Sequence, residues 1–70
     1  MTEQEWRWIF SERLRTKLEE KNMLQRDLAI DLDIGEVAVS HWLNARCSPS
    51  IKNLLKTCEI LGCGLDELVV

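Results

Sequence analysis

Residues 25–44 of the chain read QRDLAIDLDIGEVAVSHWLN, and this stretch decides the fold. It holds two apolar stripes at helical spacing, first Leu28, Ala29 and Leu32, then Val39, Trp42 and Leu43. The break between them falls at Asp33, Ile34 and Gly35. Two short helices that meet at a sharp turn are typical of a helix-turn-helix, the arrangement that places a helix in a DNA groove.

The composition bounds the rest of the molecule. Seventy residues, 46% of them apolar, predict one small helix-turn-helix domain over residues 1–70 with one modest core. No run of about 18 apolar residues occurs, and the first ten residues carry charges where a signal peptide needs an apolar segment. We therefore expect a cytoplasmic protein without a membrane partner.

The charge pattern gives mixed indications about a nucleic-acid partner. The net charge is −3, the wrong sign for a simple polyanion binder. However, no acidic residue lies between Glu36 and Glu59, while that interval contains His41, Arg46, Lys52 and Lys56. One face of the domain is thus expected to be positive.

The cysteines and the single histidine predict no chemistry of their own. Cys47, Cys58 and Cys63 are odd in number and lack CxxC spacing, and His41 is far from the last two in sequence. Cys58 and Cys63 are interpreted as small core residues and Cys47 as a loop thiol that could be exposed. No catalytic set and no glycine-rich phosphate loop is present, so we expect no enzyme, no metal and no cofactor.

The helix start and stop residues along the rest of the chain predict an all-α fold of five helices. Thr2 and Glu5 form a capping box for a first helix that runs to about residue 21, with Asn22 as its stop. Asp33 ends the second helix, and the third follows Gly35 and ends at residues 44–45. Ser50 starts a fourth helix that Gly62 closes, and residues 65–70 fit a short fifth.

Apolar spacing assigns the buried positions. In the first helix the stripe Phe10, Leu14 and Leu18 is expected to face the core, with Trp6 and Ile9 overhanging it. In the fourth helix the expected buried stripe is Ile51, Leu54, Leu55, Cys58 and Leu61, and in the fifth helix Leu65 and Leu68. Trp42 is interpreted as core because it shares a stripe with Val39.

From about Ser11 to Val69 the chain resembles Cro/C1-type helix-turn-helix DNA-binding domains. The resemblance rests on four sequence segments, in chain order RLRTKLEEKNM, LQRDLAIDLDI, EVAVSHWLNAR and CSPSIKNLLKTCEILGCGLDEL. Residues 1–10 then form an N-terminal extension of the first helix. The resemblance implies a compact repressor-like domain with the helix-turn-helix at about 25–44.

The chain departs at three places from the domains that it resembles. They usually carry Gly where Asp33 stands and Ser or Thr where Gly35 stands. They often place a buried Arg–Glu ion pair at Leu18 and Leu43, and replacing both partners by apolar residues is tolerable. They tend to cap the second helix with Ser or Asn where Leu24 stands, which weakens this cap.

The resemblance places the start of a recognition helix, about Glu36–Leu43, in the major groove. The implied base readers are Glu36, Val37, Ser40 and His41, and the implied phosphate contacts are Gln25, Arg26, Asn44, Arg46, Lys52 and Asn53. Simpler interpretations stay open: Glu36 as an acid that stabilises a helix N-terminus, His41 and the basic set as solvated surface.

These observations predict a transcriptional regulator or repressor that binds duplex DNA sequence-specifically, without an evident small-molecule effector. A homodimer is expected, through one of two surfaces: Trp6, Trp8 and Ile9, or Leu65, Val69 and Val70. The second surface matches the relatives. The alternative is a protein-interaction or antitoxin-like module on the same fold with weak or no DNA binding, which the acidic net charge favours.

Overall fold

A computed structural model describes residues 2–69 as five helices without a strand among them. The helices are α1 (Glu3–Glu20), α2 (Gln25–Leu32), α3 (Glu36–Leu43), α4 (Ile51–Leu61) and α5 (Asp66–Val69). The domain measures 30 × 22 × 21 Å, with α1 packed on α3 and α5, and α2 packed on α3 and α4. The all-α prediction and the helix-turn-helix at residues 25–44 are confirmed. None of these helices is long and apolar enough to cross a bilayer.

Side chains at the helix starts explain where the helices begin. Thr2 Oγ1 accepts from the Glu5 N–H at 3.1 Å, and a Glu5 carboxylate oxygen accepts from the Thr2 N–H, so the predicted capping box is present. Leu24 offers no side-chain acceptor at the start of α2, as expected. The Asp27 carboxylate accepts from the Leu24 N–H at 3.0 Å, which supplies half of a capping box that was not expected from the sequence.

Four helices end at, or one residue before, a residue with left-handed backbone geometry; the sequence predicts these ends, but not the left-handed geometry of Ala45. These residues are Asn22, Asp33, Ala45 and Gly62, with φ between 54° and 66°. After Asp33, for example, the Ile34 N–H donates to the Ala29 carbonyl at 3.0 Å. This Schellman pattern satisfies carbonyls that a helix end leaves open, and it makes the turn between α2 and α3.

Ala45 is the most strained of these four residues, because a Cβ in the left-handed region meets the backbone and Ala has no polar side chain to compensate. We expect Ala45→Gly to raise the free energy of unfolding by about 0.5–1 kcal/mol in a urea titration. The matched control is Gly62→Ala, which introduces the same strain at φ 66° and is expected to lower stability by a similar amount. A change of the same sign in both variants would contradict the left-handed geometry of Ala45.

The core lies between the five helices, and each of them contributes to it. Phe10, Leu14, Leu28, Leu61 and Leu68 are fully buried, together with Val39. Phe10 lies between two tryptophans: Trp42 meets it edge-on at 6.2 Å between ring centroids, and Trp6 stacks on it at 5.5 Å. The expectation for Trp42 is confirmed. The expectation that Trp6 overhangs the core is wrong, since its stacking makes it half-buried.

The prediction for the buried face of α4 is wrong at two positions. Ile51 and Leu55 are 76% and 50% exposed, while Thr57 is fully buried. The Thr57 hydroxyl donates to the Asn53 carbonyl at 2.7 Å, so its polar group is satisfied within the helix and burial costs little. The inward face of α4 therefore includes Thr57, whereas the apolar spacing predicted Leu55, which instead faces solvent.

Two smaller expectations, for Leu65 and for the cysteines, are also corrected or refined. Leu65 is exposed rather than packed, because it lies in the turn that precedes α5. Cys58 is buried as expected, whereas Cys63 and Cys47 are half-buried and contact the core cluster. Within residues 2–69 no group of three or more His, Cys, Asp or Glu side chains could hold a metal ion.

An exposed ion pair ties α5 to α1. Lys17 Nζ lies 3.1 Å from Glu67 Oε1, and the other carboxylate oxygen accepts from the Gly64 N–H at 2.8 Å. The Gly64 N–H, helped by Lys17, lowers the pKa of Glu67. The hydrogen bond to Glu67 raises the pKa of Lys17.

These two shifts predict how stability depends on pH. The lowered pKa of Glu67 contributes stability above its unfolded value, near 4.3, that is lost as the pH falls through the folded pKa. The raised pKa of Lys17 contributes below about 10.4 and is lost as the pH rises through its folded pKa. We expect Glu67→Gln to lower the urea midpoint at neutral pH, by an amount that decreases as the pH falls below about 4.3. A deficit that is constant from pH 3 to pH 8 would contradict this assignment.

Candidate nucleic-acid interface

Burial of one face of α3 determines which face is free. Val39 and Trp42 point into the core, so the first turn of α3 presents its other side to solvent. Glu36 is exposed and Val37 is 67% exposed, while Ser40 and His41 one turn later are half-buried. The four residues predicted to read bases therefore share the outer part of one short helix.

A hydrogen bond connects the start of α2 with the start of α3. Gln25 Nε2 donates to Glu36 Oε2 at 3.1 Å, and both residues line a shallow cleft with Leu24 and Arg26. The structure thus brings two predicted phosphate residues, Gln25 and Arg26, next to a predicted base reader. No side chain caps α3 at Gly35, so the cleft lies beside a helix N-terminus that carries positive potential.

The other end of α3 holds two further predicted phosphate residues in a different situation. The Asn44 amide donates to the Ser40 carbonyl at 2.9 Å and lies 3.5 Å from Ser40 Oγ, so it is already used within the helix end. The backbone N–H of Arg46 donates to the His41 carbonyl at 2.9 Å. The side chain of Arg46 takes no part in this backbone bond and is exposed. Lys52 and Asn53 lie in the first turn of α4.

Two arginines of α1 contact the end of α3, and neither was expected from the sequence. Arg15 Nη2 donates to the Leu43 carbonyl and Arg7 Nη1 to the Arg46 carbonyl, each at 2.9 Å. Their guanidinium groups satisfy carbonyls at a helix C-terminus, where cations are favourable. Eight residues separate them, which places both on one face of α1. That spacing is the only signal the sequence contains.

The residues predicted as dimer surfaces differ in how accessible they are. Trp8 is 60% exposed and Leu65 is also exposed, whereas Trp6, Ile9 and Val69 are half-buried. Trp8 borders a groove between α1 and the end of α3 that Asn44 and Ala45 also line. Val70 lies outside the described residues.

A family model described as a Cro/C1-type HTH DNA-binding domain matches residues 13–70. The match begins inside α1 and includes all of α2, α3, α4 and α5. No curated protein and no solved structure matches the chain.

Proposed function

The chain belongs to the Cro/C1-type helix-turn-helix DNA-binding family, and on this premise we propose that it is a sequence-specific transcriptional repressor that binds duplex DNA as a homodimer. In this proposal α3 enters the major groove with its first turn leading. The observation that carries it is the exposed face of Glu36 and Val37, joined to the start of α2 by the Gln25–Glu36 hydrogen bond.

The exposed groups offer distinct base chemistry. A Glu36 carboxylate can accept from the cytosine amino group, and Val37 can pack against a thymine methyl group. His41 can donate to the N7 atom of a purine. The Gln25 amide holds the Glu36 carboxylate in place before DNA arrives, which lowers the entropy that ordering it would cost on binding.

Glu36 also determines the balance between specific and non-specific binding. A carboxylate in the groove repels phosphates and weakens binding to every sequence. Only a site with a base that donates a hydrogen bond to this carboxylate compensates for the repulsion. A site with a mismatched base is therefore bound much more weakly. This arrangement fits a chain with a net charge of −3, which does not bind DNA through charge alone.

Selection from random duplex DNA at low salt tests the proposal. We expect enrichment of one motif, with an affinity that falls steeply as salt rises because phosphate contacts release counterions. The control is Val37→Asp, a variant that keeps the core but places a second carboxylate in the groove. Absence of enrichment at low salt would overturn the proposal.

The homodimer is proposed because one short recognition helix covers only half of a typical operator. Two copies related by a two-fold axis would bind half-sites about one helical turn apart, so the enriched motif should be an inverted repeat. Trp8 and Leu65 are the exposed apolar side chains of the two candidate surfaces. Measuring the solution mass of Trp8→Ala and Leu65→Ala at micromolar concentration distinguishes the surfaces, and a monomeric parent bound to a single half-site would contradict the dimer.

A second candidate function is a protein-interaction or antitoxin-like module on this fold. The exposed Trp8 side chain, in a groove that Glu5 also lines, together with the acidic net charge, favours it. Large aromatic side chains frequently dominate protein interfaces. This function predicts no enriched DNA motif and a partner whose binding is lost in Trp8→Ala.

A further inference from the structure

Cys58 and Cys63 lie on either side of the turn that ends α4. Gly62 has left-handed geometry, its N–H donates to the Glu59 carbonyl at 3.2 Å, and the Cys63 N–H donates to the Cys58 carbonyl at 3.1 Å. In a Schellman motif the side chains at these two positions commonly touch. Here both side chains are thiols.

The backbone holds these thiols within reach of a covalent bond. A hydrogen bond of 3.1 Å joins the Cys63 nitrogen to the Cys58 carbonyl oxygen. Standard bond lengths add about 2.4 Å from that oxygen to its Cα and 1.5 Å from the nitrogen to its own, so the two Cα atoms are at most ~7 Å apart. Disulfides are found at Cα separations up to about 6.8 Å, and the bent path makes the real separation shorter than this limit.

We propose that Cys58 and Cys63 form a reversible intramolecular disulfide when a two-electron oxidant such as hydrogen peroxide reaches the domain, and that this bond fixes the corner between α4 and α5. Cys63 is the thiol that reacts first with the oxidant, because it is half-buried whereas Cys58 is buried. Such a reversible bond is the usual form of a cytosolic disulfide.

The chemistry balances without a further co-reactant. The Cys63 thiolate attacks one peroxide oxygen, the O–O bond breaks, and a sulfenic acid and hydroxide form. The Cys58 thiolate then attacks the sulfenic sulfur and displaces a second hydroxide, which leaves the S–S bond. The two thiol protons complete two water molecules, so two thiols are oxidised and one peroxide is reduced.

Burial slows the first step at neutral pH. Desolvation raises the pKa of both thiols, and the Glu67 carboxylate raises it further at each, while Lys17 and Lys21 act in the opposite direction on Cys63. Asp66 is a further acid near Cys58. Because the thiolate is the reacting form, the oxidation experiment is best run at pH 9.

Mass spectrometry after peroxide treatment tests the proposal. Residues 57–70 contain no Lys or Arg, so trypsin releases both thiols in one peptide. We expect that peptide to lose two hydrogens and to resist alkylation after denaturation, in a protein that stays monomeric on a non-reducing gel. Closing this short loop should raise Tm by about 5–15 °C, and a reductant should reverse the change.

Two variants separate the proposed bond from other oxidation products. Cys47→Ala keeps the pair and should behave as the parent does, whereas Cys63→Ala should lose both the mass change and the rise in Tm. A disulfide that includes Cys47, or a Cys58–Cys63 peptide that remains fully alkylated after peroxide treatment, would overturn the proposal.

Discussion

Replacing Trp42 with Ala is expected to lower the free energy of unfolding by about 3–5 kcal/mol. The indole is 3% exposed and meets Phe10 edge-on, so truncation leaves a large cavity where α3 packs on α1. A domain of this size is stable by only about 4–10 kcal/mol, so the variant should lose roughly half of its stability. Urea titration followed by circular dichroism measures the effect.

Trp8 supplies the matched control for Trp42. It is the same residue type on the same small domain, yet it is 60% exposed. Exposed truncations usually change stability by less than about 0.5 kcal/mol, and Trp8→Ala should fall in this range. Similar losses in the two variants would contradict the assignment of Trp42 to the core.

Replacing Val37 with Asp is expected to weaken DNA binding at least ~100-fold, through the loss of a base contact and the repulsion of phosphates. Val37 is 67% exposed, and an acid in the first turn of a helix is favourable for the helix itself. The free energy of unfolding should therefore be unchanged. Binding to the selected duplex by fluorescence anisotropy measures the effect.

Ile30→Asp provides a control of equal charge. Ile30 is as exposed as Val37 but lies near the end of α2, outside the proposed contacts. It should reduce affinity only by the general effect of one added negative charge. If both variants weaken binding equally, net charge rather than the groove-facing turn of α3 controls affinity.

The helices could be predicted from the sequence because their signals are local. Capping by Thr2 and Ser50 and the stops at Asp33 and Gly62 depend on side chains a few residues away, and the structure places them as expected. The inward face of α4 depends on what packs against it. Apolar spacing alone favoured Leu55, and only the hydrogen bond of the Thr57 hydroxyl to its own helix allows a polar residue there.

The candidate site was predictable in part for the same reason. The spacing of Val39 and Trp42 fixes the inward face of α3 and therefore the outward face of Glu36 and Val37. The Gln25–Glu36 bond and the two arginines that hold the end of α3 join residues between 11 and 39 positions apart. Such pairs depend on the tertiary arrangement, which no local pattern encodes.

The central claim is that the first turns of α3 read bases, and the affinity of His41→Ala for every single-base variant of the selected site tests it most directly. We predict that this variant loses preference at one base pair, a change of about 1–3 kcal/mol, and keeps the others. Lys52→Ala, measured in parallel, should weaken binding to all sequences alike. It should also reduce the slope of log affinity against log salt concentration by about the contribution of one phosphate contact. A uniform loss across all sequences in both variants would contradict base reading by α3.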